Sequence, residues 1–346
     1  ARFRAPFMLY MLKRYQAAAI EFEDARLRAT SPGDRDMFAY WQARSLEQSG
    51  DENKAQAIFR TVAISIDSNY YPAMAAARAH LEPSVFPAAT APELTAGDPP
   101  PAQGIAEFHL ARVLAFRALG LRDLEADELR ALERLSWGDA AMRNFILPEF
   151  QAAGAWYDAI GMATRMAQRG EIEAVVAERI RYPLGFWDLV SAAAARNQLD
   201  PYLVAALIRQ ESLYNPQARS VSDARGLMQL LPSTAEKHAV AAGIAAAPID
   251  LFDPTISVRL GTTYLRGLFA MFGGDPFKAV AAYNAGEHAV SGWIVKYPGD
   301  DDQWVENIAY RETRDYVKKV IGGMREYRLL YQRSVSTSIR APQSPG

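Results

Sequence analysis

The chain has 346 residues, half of them hydrophobic, with 38 basic side chains against 40 acidic ones and no cysteine. That length exceeds one ordinary core and argues for two domains, while the near-neutral balance lacks the basic excess of a nucleic-acid binder. Without cysteine there are no disulfides and no thiolate metal sites. The four histidines (His80, His109, His238 and His288) lie far apart and form no metal-ligand spacing, so neither a metal nor another cofactor is expected. No apolar run is long enough to cross a bilayer.

The chain begins ARFRAPFMLYMLKRYQ, without Met and without the apolar core and cleavage site of an export signal, so a processed or trimmed form is expected. From Phe7 to Leu81 the periodicity is helical. Residues 41–59 read as a helix pair turning at Ser49-Gly50-Asp51, which resembles a tetratricopeptide-like unit, with small residues where helices cross. Pro83, Pro87, Pro92 and Pro99-Pro100-Pro101 predict an irregular connector over residues 82–104. Helical pattern then resumes, with Gly120, Gly154 and Gly170 as helix ends. The acidic run 125–128 reads as a solvated helix face and His109 as an ordinary helix residue. Nothing before about residue 178 carries a catalytic constellation.

Past Tyr182-Pro183 the pattern changes. Asp200-Pro201 is a helix start, because Asp can cap free N–H groups and Pro suits the first helical position. Leu203, Val204, Leu207 and Ile208 form a buried stripe, and Glu211 follows Val204 by seven residues, on that same stripe. Burial would disfavour its charged form and raise its pKa, as a general acid requires; the alternative is a helix-end Glu that reaches water. This helix is expected to stop at Asn215-Pro216. A polar loop follows, with a short ribbon around residues 220–222 as one option, returning through Gly226-Leu227-Met228-Gln229. Ser233 and Glu236 predict a capping box. Asp253-Pro254 and Asp275-Pro276 repeat the helix-start signal, the second helix ending in Ala282-Tyr283-Asn284-Ala285-Gly286. A last long helix is expected over about 312–331, with Tyr316, Val317, Val320, Met324 and Tyr327 on one face. Residues 333–346 read as a disordered tail.

Four blocks in this order, Glu211-Ser212, GLMQ (226–229), AYNAG (282–286) and IxYxETRxYV (308–317), resemble the soluble lytic murein transglycosylases, bacterial enzymes that cleave peptidoglycan on a lysozyme-like domain. The resemblance is detailed over residues 180–332 and rests on architecture alone before that. It implies an all-α protein: an α-superhelical, solenoid-like domain at 1–178 and a lysozyme-like catalytic domain at 179–332. It also implies that Glu211 is the catalytic acid and base, and that Ser220, Gln229, Leu231, Tyr283 and Glu312 contact the substrate. Tyr283 would donate a hydrogen bond to Glu211 or to the sugar's N-acetyl carbonyl. Tyr310 is a sugar-stacking candidate alongside Tyr214, Tyr264 and Trp293, each of which reads equally as core.

The chain departs from the family pattern at Asp223, where glycine is common, and at Leu231, where methionine is frequent. Asp223 reads either as a residue tolerant of a left-handed turn or as a second carboxylate that activates water in a lysozyme-type hydrolase. An inactive peptidoglycan-binding scaffold is the third reading. The resemblance further implies a periplasmic or cell-envelope location, glycan strands and muropeptides as substrates, and envelope protein partners for the helical domain.

Overall fold

The computed structural model describes residues 2–65, 69–81, 97–245 and 248–332, and among these there are eighteen helices and no strand. Most of the expected proline-rich connector and the expected disordered tail lie outside the described residues. No described helix is long and apolar enough to cross a membrane. The chain packs as two units, one of residues 1–89 with 321–346 and one of residues 90–320.

In the first unit, helices α1 (Arg4–Met11), α2 (Tyr15–Leu27), α3 (Pro32–Gln48) and α4 (Glu52–Ala63) follow one another by short turns, and α5 (Tyr70–Arg78) comes next in the chain. Alanines at the crossings (Ala18, Ala43, Ala55, Ala75) are fully buried, which lets backbones approach. Around them sits an aromatic core centred on Trp41, whose ring lies 4.9 Å from Phe7 and 5.2 Å from Tyr10. Each such ring taken from water contributes about 2 kcal/mol. The α3–α4 turn falls where the sequence places it, with Gly50 at φ +90°.

The second unit begins with a run of helix pairs, α6 (Ile105–Ala118), α7 (Arg122–Ser136), α8 (Ala140–Ala152), α9 (Trp156–Gln168) and α10 (Ala174–Arg181). Gly120, Gly154 and Gly170 close helices at φ between +70° and +75°, a conformation that costs a side chain but not glycine. Leu129, Leu132, Ile146, Phe150 and Met162 form the shared core. The acidic run on α7 departs from expectation. Glu125 is fully buried rather than solvated, held by Arg117 at 3.1 Å and Arg122 at 2.8 Å, while Arg117 also pairs with the buried Glu149 of α8. Two guanidinium partners make that burial tolerable. His109 bonds Glu128 through Nδ1 at 2.6 Å.

The unit continues with α11 (Trp187–Arg196), α12 (Pro201–Ser212), α13 (Pro232–His238), α14 (Pro254–Met271), α15 (Pro276–Ala285), α16 (Glu287–Lys296), α17 (Asp301–Asn307) and the first half of α18 (Arg311–Tyr331), whose residues from 321 on belong to the first unit. All three Asp-Pro starts form as read: Asp200, Asp253 and Asp275 each accept from two backbone N–H groups of the first turn. The expected capping box does not. Helix α13 starts at Pro232 with Leu231 as its cap residue and no side-chain cap bond, because proline's preset φ already serves the first position.

Candidate active site

Helix α12 buries Leu203, Val204, Ala205, Ala206, Leu207 and Ile208, and Glu211 leaves the helix from the side of Val204 and Leu207. The helix ends three residues before the expected Asn215-Pro216 stop. Leu213 and Tyr214 both take left-handed φ, at +50° and +63°, so the chain turns before proline can act. Such conformations are uncommon outside glycine and are held here by packing: Tyr214 is 1% exposed and its hydroxyl donates to the Ala205 carbonyl. Tyr214 is therefore core.

The Glu211 side chain keeps partial solvent contact, but its carboxyl sits mostly among protein atoms. Burial pushes it up to about 7, against a lowering from the Tyr316 hydroxyl, which donates to Oε1 at 2.5 Å. Tyr316 is buried on α18, and burial followed by the nearby Glu211 charge holds its own pKa well above the usual range. Among the described residues the carboxyl thus has a neutral donor and no guanidinium or ammonium partner, which leaves it close to half-protonated near neutrality.

The residues after α12 fold back against it. Ser212 donates through Oγ to the Leu227 carbonyl at 2.9 Å, tying the Glu-Ser pair to the GLMQ loop. Gly226 has φ +76°, and a Cβ there would lie 1.8 Å from the Leu251 carbonyl oxygen, so only glycine fits. Met228 packs into the notch at Gly261 of α14 and its N–H reaches Ser257 Oγ at 3.1 Å. Gln229, itself left-handed at φ +48°, donates its side-chain amide to the carbonyls of Ala218 and Gly226, both at 3.0 Å.

Ser220 stands on the exposed turn that this closure supports. Its Oγ accepts from the Ala224 N–H at 3.0 Å. Asp223 adopts φ +65°, the conformation that a glycine would supply, and its carboxylate is held below the usual range by Arg225 first and Arg219 next. In place of a ribbon there are two isolated bridges, Arg219 with Arg225 and Arg225 with Leu230. Leu231 follows, 40% exposed at the head of α13.

From the other side, α15 brings Tyr283. Its hydroxyl donates to the Met228 carbonyl at 2.8 Å, not to Glu211. The Glu211 charge still reaches it, and with burial as the larger cause raises its pKa well above the ordinary value. Tyr283 packs on Tyr264 at 5.2 Å, and Tyr264 on His238 at 5.1 Å, so Tyr264 belongs to this wall rather than to the interior alone. Asn284 Oδ1 accepts from the Thr313 hydroxyl at 2.7 Å and joins the AYNAG and ETR blocks. Trp293 is buried with its ring 5.1 Å from that of Tyr310, which is 58% exposed. Glu312 is exposed in the first turn of α18.

Residues 188–305 match the family model described as "Transglycosylase SLT domain". The chain is 29% identical over 308 residues to the soluble lytic murein transglycosylase of Escherichia coli (strain K12), covering 85% of this chain and 44% of that protein. In three dimensions it is similar to an inactive mutant of the lytic transglycosylase Slt from Pseudomonas aeruginosa, with TM-score 0.68, 25% identity, and coverage of 92% of this chain and 50% of that one. The 70 kDa soluble lytic transglycosylase of Escherichia coli superposes with TM-score 0.69 at 24% identity, over 94% of this chain and 50% of that one, which shows the shared fold. The chain carries an SLT domain and is similar to the soluble lytic murein transglycosylases. It spans about half the length of the relatives it matches.

Within the SLT domain fall Glu211, Ser220, Gln229, Leu231 and Tyr283, whereas Tyr310, Glu312 and Tyr316 lie beyond the matched stretch. The structure joins Ser212, next to Glu211, the GLMQ turn and Tyr283 in one bonded set, with Ser220 on the adjoining turn. It gives Tyr310 and Glu312 no bond to that set. Tyr316 is the residue that sequence reasoning missed: periodicity assigned it to a packed face, which it does occupy. The available signal was its place inside the IxYxETRxYV block.

Proposed function

We propose that this chain is a peptidoglycan lytic transglycosylase, cleaving the β-1,4 bond between N-acetylmuramic acid and N-acetylglucosamine with formation of a 1,6-anhydromuramic end. The observation that carries the reading is the Glu211 carboxyl, buried inside an SLT domain, brought to about 7 and hydrogen-bonded by a neutral tyrosine. A group with that pKa is protonated often enough to act as an acid and ionised readily enough to act next as a base.

Glu211 first gives its proton to the glycosidic oxygen as the bond breaks. The muramoyl N-acetyl group stabilises the cation developing at C1, so no second carboxylate is needed. The Glu211 carboxylate then takes the proton of the same sugar's C6 hydroxyl, and that oxygen closes on C1. Tyr316, donating to Oε1 throughout, keeps the carboxyl oriented and lowers the cost of its charged state. Tyr283 supports the opposite wall through its bond to Met228. Gln229, Ser220, Leu231, Tyr310 and Glu312 are the substrate contacts. The commitment of Asp223 to two arginines, in a left-handed turn, supports the one-carboxylate mechanism over a lysozyme-type hydrolase.

The catalytic domain is taken as 179–332, with 1–178 as a helical platform for glycan strands or envelope proteins. The periplasm or cell envelope is the corresponding location. Digestion of purified sacculi followed by mass spectrometry tests the reaction: anhydro ends are expected, and reducing muramic ends would sink it. If Glu211→Gln digests sacculi as the wild type does, Glu211 is not the catalytic group; if neither protein digests them, a scaffold becomes the better reading.

A further inference from the structure

The turn that carries Ser220 is held by a charge arrangement rather than by glycine. Asp223 Oδ1 accepts from Arg219 Nε at 2.6 Å and from Arg225 Nε at 3.0 Å, while Oδ2 accepts from an Arg225 terminal nitrogen at 2.8 Å. The pair with Arg225 is bidentate, a geometry that fixes both planes. Arg219 is held by Nε alone. Its two terminal nitrogens have no partner among the described residues, and its side chain is 61% exposed beside Ser220. Two guanidiniums against one carboxylate leave this lip with one net positive charge.

A turn needing only left-handed φ would be served by glycine or asparagine, with no arginine. Ion pairs this open to solvent, with side chains between 30% and 61% exposed, stabilise such a turn little. What the arrangement does accomplish is to orient a guanidinium, which normally loses much rotamer freedom on binding, before a ligand arrives. Resting on the function proposed above, we infer that Arg219, positioned by Asp223, reads a carboxylate carried by the muramoyl residue, making it a specificity-determining residue of the cleft lip. That chemistry has two sources: the lactyl carboxylate of a peptide-free muramic acid and the carboxylates of an acidic stem peptide.

The test is binding to the Glu211→Gln protein, which keeps the lip intact. Three probes separate the sources: the N-acetylglucosaminyl-N-acetylmuramic acid disaccharide, its lactyl methylamide, and the disaccharide bearing L-alanyl-D-glutamate. Added Arg219→Ala is expected to weaken the acidic probes about three- to fivefold and to leave the methylamide within twofold. A loss confined to the peptide probe assigns the carboxylate to the stem, and a loss on the free disaccharide assigns it to the lactyl group. Arg219→Glu should enlarge the same loss. Asp223→Asn, which tolerates the turn but releases both guanidiniums, should reproduce part of it. No change on any probe, or an equal change on all three, overturns the inference. The anhydro-product assay on wild type is independent of these measurements, so failure of the proposed reaction and failure of this contact are told apart.

Discussion

Two regions of the second unit bury glutamates and treat them in opposite ways. In the helix pairs α6–α8, Glu125 and Glu149 are sealed from solvent and each meets the Arg117 guanidinium, with Arg122 added at Glu125. At the end of α12, Glu211 is enclosed with only a tyrosine hydroxyl for company. An ion partner makes a buried carboxylate a structural tie between helices, whereas a neutral donor leaves desolvation dominant and the proton mobile near pH 7. The residue type is the same; the partner decides whether it ties helices together or keeps a proton that exchanges near neutrality.

The sharpest way to break this contrast is at Glu211. Glu211→Gln keeps the shape and removes the proton, and kcat on sacculi should fall by about 10³ or more with folding intact, measured as product release. The mirror experiment is Arg117→Ala, which strips the shared partner from Glu125 and Glu149. It should lower stability by about 2 to 3 kcal/mol in denaturant unfolding and leave kcat per folded molecule unchanged.

The pH dependence of stability separates the two classes further. The folded pKa of Glu211 lies above its unfolded value of 4.5, so the folded state binds the proton more tightly. Stability from this group is present below about pH 4.5 and is lost as pH rises through about 7. Glu211→Gln should therefore melt higher than wild type at pH 8, by at most about 3 kcal/mol, with the advantage vanishing near pH 4. An advantage that persists unchanged at pH 4 would mean that packing, not the proton, is responsible.

The smallest effect is expected at Tyr316→Phe. Losing one hydrogen bond to a charged group, worth about 1.5 to 2 kcal/mol, should cut kcat by about ten- to thirtyfold. Because that bond lowers the Glu211 pKa, its removal should also shift the alkaline limb of the pH–rate profile upward. Loss of rate without the shift would place Tyr316 in packing alone.

The parts legible in the sequence are those governed by neighbours along the chain. Asp200, Asp253 and Asp275 cap their helices because an Asp-Pro pair satisfies the first-turn N–H groups whatever surrounds it. Gly50, Gly120, Gly154 and Gly170 turn left-handed because glycine has no Cβ to oppose it. The stripe of α12 likewise placed Glu211 on an apolar side before any tertiary contact was known.

Long-range partners were not legible. Local spacing gave Glu125 to solvent, but Arg117 reaches it from the preceding helix and Glu149 joins from the next. The resemblance offered Tyr283 as a donor to Glu211 or to the sugar's N-acetyl carbonyl, yet the bond to Glu211 comes from Tyr316, 105 residues along the chain, while Tyr283 is spent on Met228. By itself the sequence determined the helices, their Asp-Pro starts and glycine turns, and the apolar stripe that Glu211 continues, since periodicity and backbone sterics act over a few residues. Only the tertiary structure decided whether that carboxyl met a guanidinium or a hydroxyl, because its pKa depends on burial and on the nearest charge in space.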